Sequence, residues 1–216
     1  LVKAMRAKGY TDVELKDSGL VTVSQKNGNL FDRFRGRLMF PIIDVRGNII
    51  GFGGRIMNNK DPNAAKYLNS PETLIFNKRK NLFGLNLAKK TKQDFMILVE
   101  GNIDVVTLHQ YGFDNAVASL GTSLTDEHAA LLSRYTEQVY LIYDADEAGQ
   151  RAAQRAIPML EKAGIPDPTI ISESRAAFLY AKYAKTVALD VDILNESGIF
   201  AAAIPYQHDF VPLPLG

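Results

Sequence analysis

Two stretches decide the fold: Phe95-Met96-Ile97-Leu98-Val99-Glu100-Gly101-Asn102-Ile103-Asp104 and Val139-Tyr140-Leu141-Ile142-Tyr143-Asp144-Ala145-Asp146. Each is a short, unbroken apolar run that ends in acidic residues. Such runs read as strands covered on both faces, because a half-exposed strand would alternate with polar residues. Between and after them the period lengthens. Residues 103–111, 125–135 and 147–162 read as helices, and Ala116-Val117-Ala118 as a further short strand. Thr125 is an N-cap, with His128 where Glu would complete a capping box, and Gly164 ends the last helix. Alternating strands and helices predict an α/β unit over residues 91–165, an open parallel sheet flanked by helices.

Open parallel sheets carry their chemistry just beyond the carboxyl ends of the strands. There the first run delivers Glu100, with Asp104 one helical turn on, and the last delivers Asp144 and Asp146. The middle strand runs into Ser119-Leu120-Gly121-Thr122-Ser123. If the strands are neighbours, Glu100, Asp144 and Asp146 converge. Convergent carboxylates repel one another, and a hard divalent cation, Mg²⁺ or Mn²⁺, relieves that repulsion. The matching reaction class is phosphoryl or nucleotidyl transfer. Neither motif suffices alone. Glu-Gly is common, and Asp-x-Asp after a strand also serves as a helix cap favoured by the macrodipole. The two in order, at α/β spacing, carry the reading.

Upstream the pattern differs. Residues 1–20 read as small helices with Thr11 as a cap, and Asn27-Gly28 marks a hairpin turn. Residues 37–58 read as two strands around Arg46-Gly47-Asn48, residues 58–73 as a long polar loop, and residues 82–90 as a helix. Residues 1–90 thus form a mixed amino-terminal subdomain, giving the chain α+β character overall.

Charge separates the same two parts. Residues 1–98 hold 18 Lys+Arg against 8 Asp+Glu, while residues 99–216 hold 7 against 16. The balances of +10 and −9 cancel to the net charge of +1. Such a split points to a polyanionic partner for the basic half. Arg33, Arg35, Arg37 and Arg55 are candidates for phosphate contacts, since a guanidinium grips phosphate in bidentate fashion. Lys66, Tyr67, Asn69 and Lys78, with Arg79 and Lys80, mix charge with a stacking ring, as single-strand binders do. Arg33, Arg35 and Arg37 also fit the solvent face of one extended segment.

The 216 residues are 46% hydrophobic and 23% charged, an ordinary globular composition that excludes disordered, collagen-like and coiled-coil classes. There is no cysteine, so disulfides and cysteine-ligated zinc are excluded, and the three histidines stand far apart. No zinc is expected. No run is long enough to span a membrane and no signal peptide is read, which predicts a cytoplasmic protein without a membrane partner. The chain opens at Leu1, as a piece of a longer protein would.

Residues 95–151 resemble a Toprim domain, the metal-binding unit of topoisomerases, primases and related nucleases. Glu100-Gly101 with Asp104 matches its first acidic motif, and Asp144-x-Asp146 its second. Several further segments resemble the catalytic core of bacterial DnaG-type DNA primases. They include Phe34-Arg35-Gly36-Arg37-Leu38-Met39-Phe40-Pro41, Gly51-Phe52-Gly53-Gly54-Arg55, Lys66-Tyr67-Leu68-Asn69-Ser70-Pro71-Glu72-Thr73 and Leu82-Phe83-Gly84. That resemblance covers about residues 1–165. It implies a DNA-directed RNA polymerase that makes short RNA primers on single-stranded DNA from ribonucleoside triphosphates, at the replication fork in the bacterial nucleoid. By the same resemblance, Glu100, Asp144 and Asp146 are the catalytic metal ligands and Asp104 supports Glu100. Arg35, Arg37, Arg55, Lys66, Tyr67, Asn69 and Lys78 line the path of template or nucleotide. The family's zinc module and helicase-binding domain are not read in this chain, so a replicative helicase would be met only through a domain absent here.

The resemblance stops near residue 165. Residues 166–216 form an atypical tail of unknown role, in which residues 174–189 have helical spacing and Asp190-Val191-Asp192 is the one further Asp-x-Asp. Two other readings stand beside the primase core. One is a catalytically incomplete fragment that only binds single-stranded nucleic acid. The other is a different Toprim enzyme, of nuclease or topoisomerase type.

Overall fold

Thr11 closes a capping box with Glu14, each side chain meeting the other residue's backbone N–H, and so separates two short helices, α1 (Val2–Ala7) and α2 (Asp12–Asp17). The computed structural model describes residues 1–57, 64–144 and 146–171. Strands β1 (Val21–Val23) and β2 (Leu30–Asp32) pair antiparallel, as Asn27-Gly28 predicts. A second antiparallel sheet follows: β3 (Arg37–Ile43), β4 (Ile49–Ile56) and β5 (Tyr67–Asn69), in the order β3-β4-β5. A 3-10 turn (Lys78–Lys80) and helix α3 (Leu85–Ala88) lead on to the parallel sheet.

That sheet comprises β6 (Met96–Val99), β7 (Ala116–Ala118), β8 (Val139–Ile142) and β9 (Thr169–Ile170), joined through α4 (Asn102–Gln110), α5 (Asp126–Leu132) and α6 (Glu147–Lys162). The strand order is β7-β6-β8-β9, and every pair is parallel. Alternate residues explain how both faces are covered. Met96 and Leu98 cluster with Leu132, Ala156 and Leu160 beneath α5 and α6. Ile97 and Val99 cluster with Val105 and Leu108 beneath α4. The unbroken apolar runs of the sequence are therefore a two-sided core.

The two sheets are joined in three ways. Phe83 and Ala118 exchange both backbone hydrogen bonds, at 2.8 and 3.1 Å. Leu120, from the loop after β7, is fully buried in a cluster with Ile42, Ile50 and Phe76 of the antiparallel part. Asn69 Nδ2 donates to the Leu120 carbonyl at 2.9 Å.

Four local expectations are corrected. Residues 67–69 of the expected polar loop form β5, an edge strand paired with β4 and too short and polar to show alternation. The expected helix at 82–90 is reduced to α3, because Phe83 bridges to Ala118 and Gly84 takes a positive φ of 83° at the helix start. Arg33, Arg35 and Arg37 do not share one extended face, since Gly36 turns the chain at φ 61°. The sheet also runs past residue 165, with β9 alongside β8. The expected helix at 174–189 and the pair Asp190 and Asp192 lie outside the described residues.

Candidate functional site

The adjacent strands β6 and β8 send their onward connections in opposite directions, β6 through α4 to β7 and β8 through α6 to β9. That makes their carboxyl ends the switch point of the sheet, where open α/β folds bind ligands. Glu100 and Asp144 are the residues that leave those two ends. Glu100 Oε1 accepts from the Asp144 backbone N–H at 3.1 Å. Asp146 caps α6, its Oδ1 accepting from the Gly149 N–H at 2.8 Å. Asp104 sits in the first turn of α4, and its Oδ2 accepts from the Gly101 N–H at 2.9 Å, which fixes the residue directly after Glu100.

Burial, and then the charge of Asp144, hold the Glu100 carboxyl above its ordinary range, with Asp146 and Asp104 adding to the rise. Burial pushes Asp104 up as well, against the lowering effect of the Gly101 N–H, and Asp144 adds to it. Among the described residues no lysine or arginine forms an ion pair with any of these four carboxylates. The like charges are thus left facing one another.

Gly149 fixes how closely the strands' ends approach α6. A Cβ there would stand 2.2 Å from the Asp144 carbonyl oxygen and 2.8 Å from Glu100 Oε1, so only glycine fits. Beside it lies a cavity of about 360 Å³ lined by Glu100, Ser119, Thr122, Tyr143, Asp146 and Arg155 among others. Thr122 Oγ1 is buried there without a hydrogen-bond partner.

The oxygen-only donor set of Glu100, Asp144 and Asp146 suits a hard divalent cation. Among the described residues, no group of three or more His, Cys, Asp or Glu side chains is gathered tightly enough to hold one unaided. The carboxylates fit an ion that takes one or two of them and completes its shell elsewhere, the usual habit of Mg²⁺.

The basic residues stand differently. Arg35 lies over the Phe31 ring at 5.0 Å. Arg55 and the Lys66 ammonium each lie 5.9 Å from the Tyr67 ring, on the cross-strand pair Arg55 and Tyr67. Tyr67 is exposed, so a flat ring with two cations close to it is open to solvent. Arg37 is otherwise engaged, donating to the carbonyls of Gly54, Lys66 and Ala65. Asn69 is likewise engaged with Leu120, and its own carbonyl accepts from Arg33. Lys78 opens the 3-10 turn, its N–H donating to Glu72. From the sequence, His128 is a cap residue and nothing more. It is fully buried and also bonds the carbonyls of Lys78 and Asn81. An imidazole standing where a capping box wants Glu was the available signal.

Comparison with known proteins resolves the lineage. Residues 1–89 match the N-terminal domain of the DNA primase catalytic core, and residues 97–177 match the Toprim-like family. This chain belongs to the DnaG-type primase catalytic-core family. The primase of Clostridium acetobutylicum is 52% identical over 165 residues, covering 76% of this chain and 27% of that protein. For the Escherichia coli K12 primase the figures are 51% over 145 residues, 66% and 24%. The chain therefore spans about a quarter of the curated primases it matches. Among solved structures, the Aquifex aeolicus primase with its zinc-binding and RNA polymerase domains aligns with a TM-score of 0.70 and 40% identity, over 79% of this chain and 41% of that one. A DnaG primase catalytic domain bound to single-stranded DNA aligns at 0.64 and 45% identity, over 72% and 49%. The two family matches together run across the antiparallel and the parallel sheets. Among the described residues, no helix is long and apolar enough to cross a membrane.

Proposed function

We propose that this chain joins ribonucleotides into a short RNA primer on a single-stranded DNA template. Residues 1–90 form the nucleic-acid-binding part and residues 91–165 the metal-binding part, with β9 extending the latter. The observation that carries this reading is the meeting of Glu100 and Asp144 at the switch point, packed against Gly149 with no room for a side chain. Glu100, Asp144 and Asp146 would hold Mg²⁺ or Mn²⁺, and Asp104 would keep Glu100 in place through Gly101. When bound, such an ion neutralises triphosphate charge and makes a 3′-hydroxyl more acidic. Asp146, as the cap of α6, holds its carboxylate at the cavity mouth. Arg35, Arg55 and Lys66 offer charge to template or nucleotide phosphates, and the exposed Tyr67 ring offers a base a stacking face. Lys78 adds charge from the 3-10 turn. Arg37 and Asn69 serve the same surface by holding β4, β5 and the Leu120 loop together.

A second reading, single-strand binding without catalysis, is favoured by one observation: among the described residues no three carboxylates are tightly gathered. The two readings separate on Asp144→Ala. Under the first, Mn²⁺-dependent extension of an RNA primer on single-stranded DNA is abolished while binding persists. Under the second, the native chain extends nothing, and only charge removal at Lys66 or Lys78 changes a measured property, namely affinity and its salt slope.

A further inference from the structure

The 3-10 turn Lys78–Lys80 carries cations on three consecutive residues and has one backbone bond, Lys80 N–H to the Asn77 carbonyl at 3.2 Å. A one-turn 3-10 segment has poor bond geometry and little stability of its own. Mutual repulsion of three cations would open it further. Locally it is held by Asn77 Oδ1, which accepts from the Arg79 N–H at 2.9 Å. Asn81 Nδ2 donates to the Asn77 carbonyl at 2.8 Å, and Glu72 accepts from the Lys78 N–H at 3.0 Å. The carbonyls of the turn itself are held by the first turn of α5. His128 Nδ1 accepts from the Thr125 N–H at 3.3 Å. That leaves the ring proton on Nε2, which donates to the carbonyls of Lys78 at 2.7 Å and Asn81 at 3.1 Å. Thr125 Oγ1 donates to the Arg79 carbonyl at 2.8 Å while accepting the His128 N–H at 3.2 Å. The Arg79 guanidinium stands 3.8 Å from the Glu127 carboxylate. Two side chains of one helix cap thus hold three carbonyls around the basic turn, and the ring that does most of this is fully buried.

We propose that His128 is a positioning residue of the nucleic-acid surface: its imidazole locks the Lys78–Lys80 turn onto the α5 cap, so that the three cations are presented to a phosphate backbone as one cluster. This rests on reading that turn as a nucleic-acid contact. His128 touches no nucleotide itself. An ordinary capping-box Glu at this position could accept from Thr125 but could not donate to Lys78 and Asn81, so the imidazole does what a carboxylate cannot.

The test uses the full 216-residue chain and a fluorescein-labelled oligodeoxythymidylate, with anisotropy read across a salt series. His128→Ala is expected to weaken binding about fivefold, the worth of an ordinary hydrogen-bonded contact. It should also flatten the log affinity against log salt slope by about 0.7, one single-strand phosphate contact. His128→Gln can accept from Thr125 and donate to Lys78, and is expected to restore both. The His128→Ala loss should vanish in a chain that also carries Lys78→Ala, Arg79→Ala and Lys80→Ala. Amide hydrogen exchange at residues 79–81 should quicken in His128→Ala. If His128→Ala does not fold, His128→Asn, too short to reach both carbonyls, is read in its place. A folded variant with native affinity and slope, beside a weakened triple charge variant, would overturn the proposal. A triple charge variant that binds like the native chain would instead sink the nucleic-acid reading of the turn, and the positioning role with it.

Discussion

At the ends of β6 and β8 the acidic side chains stand together, and among the described residues no lysine or arginine forms an ion pair with them, whereas in the antiparallel sheet the arginines lean on rings and backbone carbonyls. Glu100 is raised by burial and by Asp144, with Asp146 and Asp104 adding to it. Arg37 is tied to three carbonyls and Arg35 lies over Phe31, with Asp32 close enough to feel its charge, and among the described residues neither arginine forms an ion pair. One region gathers negative charge. The other keeps positive charge available by anchoring it on uncharged partners. On the proposed function, the first region would bind a cation and the second a polyanion.

The largest effect should come from testing how rigid the acidic edge is. Gly149→Ala sets a methyl against the Asp144 backbone at 2.2 Å, whereas at Gly54 a methyl would meet Phe34 and Arg37 side chains at 2.9 and 3.0 Å. Gly149→Ala is expected to destabilise by about 3 kcal/mol or more and to abolish extension. Gly54→Ala should be milder, because side chains can move where backbone cannot. Urea unfolding of both variants makes the comparison, and equal losses would break it.

Within the basic sheet the arginines should divide. Arg37→Ala removes donors from carbonyls of a half-buried site and is expected to lower stability by about 1–2 kcal/mol. Arg35→Ala should leave unfolding nearly unchanged and instead reduce the salt slope of single-strand binding by about 0.7. If the two variants behave alike in both assays, anchored and presented cations are not distinct classes.

A smaller effect is expected with pH. Burial, the largest influence on His128, holds its imidazole below the ordinary value of 6.5, against the raising effect of the Lys78 and Asn81 carbonyls and of Glu127. As pH falls, the unfolded chain therefore binds the proton first. The stability tied to neutral His128 is fully present above pH 6.5 and is lost as pH drops below it. Glu100 and Asp104, raised in the folded state, act in the opposite sense at lower pH. The difference in thermal midpoint between the native chain and His128→Gln across pH 7.5 to about 5 isolates the histidine, and the gap should change in that window.

The parallel sheet was readable because two-sided burial writes itself as unbroken apolar runs, as in Met96–Val99. The acidic edge was readable because strand ends are where those runs stop. Less legible was whatever depends on contacts distant in sequence. Strand β5 has only three residues and exists because Gly53, Gly54 and Arg55 pair with it. Phe83 left its expected helix for a bridge to Ala118, a partner that no local pattern reveals. Arg37 and Asn69 are candidates for the path of template or nucleotide, and nothing in the sequence signals that side-chain donors of both also reach backbone carbonyls. Arg55, Lys66 and Tyr67, by contrast, do lie together, because two of them face each other across β4 and β5.

The account stands most directly on Mn²⁺- and Mg²⁺-dependent incorporation of labelled ribonucleotides by the native chain, beside Glu100→Gln, on single-stranded DNA carrying a pre-annealed RNA primer. The predicted result is metal-dependent extension by the native chain and a loss of at least about a hundredfold in Glu100→Gln, with single-strand affinity unchanged. Equal extension by both proteins, or none by a native chain that still binds DNA and metal, would contradict the claim that the β6–β8 edge is the catalytic centre.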